Sequence, residues 1–176
     1  VAGDENLCCW LSDFIRTQLA KPRDFLKLRH DVHDMRKRMA DEHPAASVWD
    51  IKHVAGGLVD MDFLAQYLLL AHAPHHDDFP VGASRHVYVW CQKHELLPQQ
   101  MVDGLLEAER FLGQLFHLLR LCVSGALHED QAPLGLKKLI CDSVGLSSFD
   151  EVRNRLIALE TLASQAYIST LTTVSE

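Results

Sequence analysis

The stretch from Leu58 to Leu70 constrains this chain more than any other. Leu58, Val59, Met61, Phe63, Leu64, Leu68, Leu69 and Leu70 lie nearly all round a helix. A helix apolar on every side belongs inside a bundle, not on a surface. Asp60, Asp62 and Gln66 interrupt it. An unpaired buried carboxylate is costly, so each needs a partner or an opening to water. At about 100° per residue, Asp62 and Gln66 fall on one side and Asp60 points roughly the other way. The two aspartates are therefore not placed to chelate one ion from a regular helix. Asp60 lies in the first turn, where a carboxylate meets free N–H groups and the positive helix end. It is either a helix-start stabiliser or a group facing a cleft. Asp62 lies too far along to cap, which leaves a buried hydrogen-bonding role or a place in a catalytic cleft.

The rest of the chain reads as helix almost throughout. A first helix is expected over about 5–20, with Leu7, Leu11, Phe14, Ile15 and Leu19 on one face, ended by Pro22. A second follows over about 23–41. Phe25, Leu28, Val32, Met35 and Met39 form its packing seam, and Arg29, Asp31, Asp34, Arg36, Lys37 and Arg38 its charged face. An irregular joint spans 43–55, and the apolar helix runs over about 58–73. Further helices are expected over about 84–94, 98–126, 134–143 and 148–172. The last starts on a capping box of Ser148 and Glu151. Only 86–90 alternates like a strand, and its context favours helix. The expected fold is all-α, an up-and-down bundle with additional helices, in a single helical domain over 1–176.

Composition excludes several functions. The 176 residues carry a formal charge of −7, which argues against a nucleic-acid partner and against an anionic membrane. The longest apolar stretches are too short to span a bilayer. Cys8, Cys9, Cys91, Cys122 and Cys141 are odd in number and form no C-x-x-C pair. They read as reduced thiols of a cytoplasmic protein. The first residue is Val1 rather than Met, which suggests a piece of a longer protein.

Gly56-Gly57 ahead of a helix is either a plain turn or a set of backbone N–H groups offered to a phosphate. Lys52 is a surface lysine or a companion to that turn. His75, His76, Asp77 and Asp78 have metal-capable side chains between Pro74 and Pro80. Neighbouring residues rarely converge on one ion, so a solvated loop is expected and no metal site is assigned. Asp103, Glu107, Arg110, Gln114 and His117 line one helix as a solvated, ion-paired face or as a contact strip. No serine or cysteine has a visible base partner.

Taken together, Lys52, Gly56-Gly57, Asp60, Phe63 and Gln66 resemble a motif of the glutamine synthetase adenylyltransferases. The PII uridylyltransferases share that helical fold more distantly. In the family the motif follows each of two nucleotidyltransferase domains. The likeness extends upstream to Met35-Arg36-Lys37-Arg38-Met39, and downstream through 66–73 and 109–117. It covers about 23–121. Trp49 stands where the family has Phe, and Asp62 where it has Glu, one methylene shorter. The Gln66-Tyr67-Leu68 run favours the C-terminal, adenylylating half.

The resemblance implies a nucleotidyltransferase substrate-binding-domain-like fold. Polymerase-β-like nucleotidyltransferases carry a Gly-Ser and an Asp-x-Asp on a strand to hold Mg²⁺. This chain has no Gly-Ser, and its one Asp-x-Asp, Asp60 to Asp62, falls on a helix. No catalytic residue is therefore expected here, and no cofactor. ATP and Mg²⁺ would belong to the parent enzyme. Lys52, Gly56, Gly57, Asp60, Asp62 and Gln66 are the residues expected to face the neighbouring active site. The implied partners are the preceding nucleotidyltransferase domain, glutamine synthetase and a PII-type signal protein, with glutamine as a further regulator. Two other readings stay open: a helical protein-interaction scaffold unrelated to adenylylation, and a metal enzyme built on the His75 loop.

Overall fold

The computed structural model describes residues 3–172. Among these, seven α-helices and two short 3₁₀ turns occur, and no strand. They are α1 (Glu5–Leu19), α2 (Phe25–Glu42), α3 (Leu58–His72), α4 (Ser84–Lys93), α5 (Gln99–Cys122), α6 (Leu134–Val144) and α7 (Phe149–Leu171). The protein is an all-α helical bundle. No helix among the described residues is long and apolar enough to cross a membrane.

The apolar helix α3 sits in the middle, packed against α2, α4, α5 and α7. Leu64, Ala65, Tyr67 and Leu68 are fully buried there. Of the other packed pairs, α4 with α5, α5 with α6 and α7, and α6 with α7 join neighbours in sequence or close to it, while α2 also touches the distant α7. The expected alternation at 86–90 is helical. Val87, Tyr88, Trp90 and Cys91 are its buried residues, spaced one, three and four apart as a helix face requires.

Helix ends follow from local chemistry. Asp4 and Asp24 accept from Leu7 N and Lys27 N at 3.0 Å as N-caps. Ser148 Oγ accepts from Glu151 N at 3.2 Å. Glu151 reaches back to Ser147 N at 3.0 Å, one residue before the cap. Helix α5 ends at Cys122, four residues short of the expected Ala126. Val123 turns extended, and Gly125 adopts φ +92°, a conformation that glycine favours.

Two faces differ from expectation. Helix α1 buries no residue fully, and Leu7, Trp10 and Phe14 are exposed. Arg23 closes its end by donating to the carbonyls of Gln18, Leu19 and Lys21 at 2.8 Å, and reaches Leu70 O of α3 at 3.5 Å. On α2 the packed face is rotated from the expected seam. Phe25 and Met35 are exposed, whereas Arg36, expected on the charged face, is 7% exposed. A buried partner on α3 draws that guanidinium inward.

Candidate functional site

That partner is Asp60. Its Oδ1 accepts from Arg36 Nε in a short, buried ion pair, and its Oδ2 accepts from Gly56 N at 2.5 Å. Arg36 Nη2 also donates to His53 O at 3.2 Å. Asp60 thus ties α2, the start of α3 and the 50–57 turn to one carboxylate. The N–H groups of residues 57–59 are bonded within the segment. Gly57 N donates to Val54 O at 2.8 Å, Leu58 N to Ile51 O at 2.9 Å, and Val59 N to Lys52 O at 3.1 Å. The turn therefore offers no free amide from residues 56–59 to a phosphate.

Both glycines are set by close approach. A Cβ on Gly56 would lie 1.7 Å from Glu160 O on α7, and φ there is +79°. A Cβ on Gly57 would lie 2.4 Å from Ile51 O. The pair lets the turn press on α7 at one side and fold on itself at the other.

Asp62 and Gln66 point the other way, as their spacing requires. Both are exposed. They line a groove of about 260 Å³ between α3, α4 and α5, together with Ser84 and Glu109. Ser84 Oγ donates to Asp62 Oδ1 at 2.5 Å, and Arg85 Nη1 lies 3.8 Å from Glu109 Oε2 on the rim. Beneath them Tyr88 is fully buried, its hydroxyl donating to Met61 O at 2.6 Å. Burial pushes its pKa well above the usual phenol, with Asp62 next in effect. Two carboxylates and an amide facing one groove suit cations, hydroxyls and amines rather than a bare phosphate.

Lys52 lies apart from both groups. It is exposed and lines a second pocket, about 410 Å³, with Trp49, Asp50, Phe116 and Arg120. Arg120 stands over the Phe116 ring at 5.7 Å. Trp49 stacks on Phe149 at 4.9 Å and donates from Nε1 to Glu129 Oε1 at 2.6 Å. A Phe there, as in the resembling family, has no N–H to make that bond.

The six sequence-singled residues thus fall into three groups: a buried tie of Gly56, Gly57 and Asp60, an acidic groove of Asp62 and Gln66, and Lys52 at a separate pocket. Sequence reasoning missed Arg36, Ser84 and Glu109. A signal for Arg36 was present, since a buried Asp60 demands a cation. The stripe on α5 is occupied internally in part: Glu107 pairs with Arg155, and Gln114 donates to Ser143 O.

The central buried helix, the ion-paired glycine turn and the acidic groove define an all-α bundle whose motif face is exposed on one side only. The chain belongs to the family described as GlnD PII-uridylyltransferase, whose model matches residues 24–169. It is 34% identical over 92% of its length to a protein of Bradyrhizobium sp. (strain BTAi1), named bifunctional glutamine synthetase adenylyltransferase/adenylyl-removing enzyme. Proteins of the same name in Brucella suis and Agrobacterium fabrum are 34% and 27% identical over 95% and 96% of the chain. The chain spans only 16–17% of the length of these relatives.

Proposed function

We propose that this chain is a non-catalytic helical domain that follows a nucleotidyltransferase domain in an enzyme of nitrogen control. The whole enzyme would transfer AMP from MgATP to a tyrosine of glutamine synthetase and remove it by phosphorolysis, in the cytoplasm, under glutamine and a PII-type protein. The relatives' shared name supports the substrate. The Gln66-Tyr67-Leu68 run favours the adenylylating half.

One observation carries the non-catalytic part of this reading. The chain's only Asp-x-Asp is split by its helix: Asp60 is consumed by Arg36 and Gly56, while Asp62 faces a groove on the other side. A nucleotidyltransferase needs both carboxylates on shared Mg²⁺ ions. In this reading the acidic groove forms one wall of the active cleft. Asp62 and Gln66 face the metal-bound nucleotide or the attacking hydroxyl, and Lys52 meets an anionic group at its own pocket. Gly56, Gly57 and Asp60 act from beneath as positioning residues.

The chain alone, given ATP, Mg²⁺ and unmodified glutamine synthetase, is expected to incorporate no AMP. Measurable turnover would overturn the reading. Incorporation restored by adding the isolated nucleotidyltransferase domain would support it over a scaffold unrelated to adenylylation.

A further inference from the structure

The loop between α3 and α4 is exposed at His75, Asp77 and Asp78, as expected. Two of its side chains nevertheless meet the C-terminal end of α4. His94 caps that helix, its N–H donating to Trp90 O. Its Nε2 lies 2.9 and 3.0 Å from the two oxygens of Asp78. The His76 ring sits 4.3 Å from the His94 ring, centroid to centroid, and edge-on to Trp90 at 5.4 Å. One ligand atom from each of His76, Asp78 and His94 lies within 4.8 Å of the other two.

The loop is held for this arrangement. Phe79, next to Asp78, is 3% exposed in the core, with Arg16 of α1 over its ring. Pro74 and Pro80 restrict the backbone on either side. Asp78 takes its hydrogen bonds from Trp90 Nε1 at 3.4 Å, Lys93 Nζ at 2.5 Å and His94. His76 is not among those partners, yet one of its ring nitrogens lies within 4.8 Å of a ligand atom of each of the other two.

We propose that His76, Asp78 and His94 form a binding site for a borderline divalent transition-metal ion, Zn²⁺ foremost. Two imidazoles and a carboxylate select Zn²⁺, Co²⁺ or Ni²⁺ over Mg²⁺ or Ca²⁺. Ligands at about 2.0–2.1 Å from tetrahedral zinc stand roughly 3.3 Å apart. The His94–Asp78 separation needs to open only slightly, and His76 to close in. Three protein ligands leave a fourth position for water. Lys93 is the competing cation: its side chain is 67% exposed and sits on Asp78, so the ion displaces it into solvent. The bound ion would clip the loop to α4, independently of adenylylation.

The test is Zn²⁺ titration of the purified chain by calorimetry, with Co²⁺ absorption as a check on coordination, at about pH 7.5, where free imidazole is mostly neutral. One equivalent of Zn²⁺ is expected to bind. His94→Ala and the shape-preserving Asp78→Asn should each weaken it at least about tenfold, a loss comparable to that for metal-site partners. Lys93→Ala should tighten it. His43→Ala, in the separate His43–His53 ring pair at 5.5 Å, should leave it unchanged. The absence of one-equivalent binding, or binding that survives Asp78→Asn, or binding lost equally in His43→Ala, would overturn the assignment.

Discussion

Arg36 and Asp60, 24 residues apart, meet as a buried ion pair in which each is under a tenth exposed. Removing one partner of such a pair leaves the other as an uncompensated buried charge, at a cost of about 3–5 kcal/mol. Arg36→Ala is expected to destabilise the chain by about that amount in urea unfolding. Replacing both by apolar residues, Arg36→Met with Asp60→Leu, should cost less than either single change, except for the Gly56 N–H then left unbonded.

The two kinds of glycine in the chain should respond in opposite directions. Gly56→Ala forces a Cβ into Glu160 O at a positive φ and should lower the melting temperature sharply, by well over about 1 kcal/mol in stability. Gly113 lies inside α5 with nothing within 4 Å of an added Cβ. Gly113→Ala should stabilise by about 0.5–1 kcal/mol. Thermal melts of the two variants check both.

Much of this architecture is legible in the residues. The apolar circumference of α3, the opposite directions of Asp60 and Asp62, and the cap at Ser148 all follow from periodicity and short-range chemistry. The inward turn of Arg36 does not, because arginine counts as polar in any periodicity and its partner is distant in sequence. Helix α1 shows the converse failure. Its apolar spacing is helical, yet Trp10 and Phe14 stack on each other at 5.6 Å on an exposed face. Periodicity shows which face is apolar, not whether the rest of the bundle covers it. Ser84 and Glu109 entered the groove only through the packing of α4 and α5 on α3.

Glu160 gives the chain a pH dependence. It is 4% exposed, and Oε1 has no hydrogen-bond partner. Burial pushes its pKa from 4.5 up to about 8. Between those values the folded state holds a proton that the unfolded chain has released, so this group makes stability fall as pH rises across that interval. Glu160→Gln keeps the shape without the charge and should flatten the fall. Urea midpoints at about pH 5 and about pH 9 should differ less in the variant than in the parent chain.

Cysteine reactivity should follow burial. Cys91 is fully buried and its thiol is pushed up to about 12; Cys141 is buried as well. Cys9 and Cys122 are exposed. Because the thiolate is the reactive form, a thiol reagent under native conditions should label Cys9 and Cys122 and spare Cys91 and Cys141 until denaturant is added. Mass mapping of the labelled peptides reads this directly.

The central claim is that the exposed side of α3 serves an active site supplied by another domain. Asp62→Asn and Gln66→Ala in the full-length enzyme, assayed for AMP transfer to glutamine synthetase beside a thermal melt, test it most directly. Both residues are exposed, so the melting temperature should hold, while kcat should fall at least about tenfold, equivalent to about 1.4 kcal/mol in the barrier. Unchanged kinetics in both variants would contradict the account.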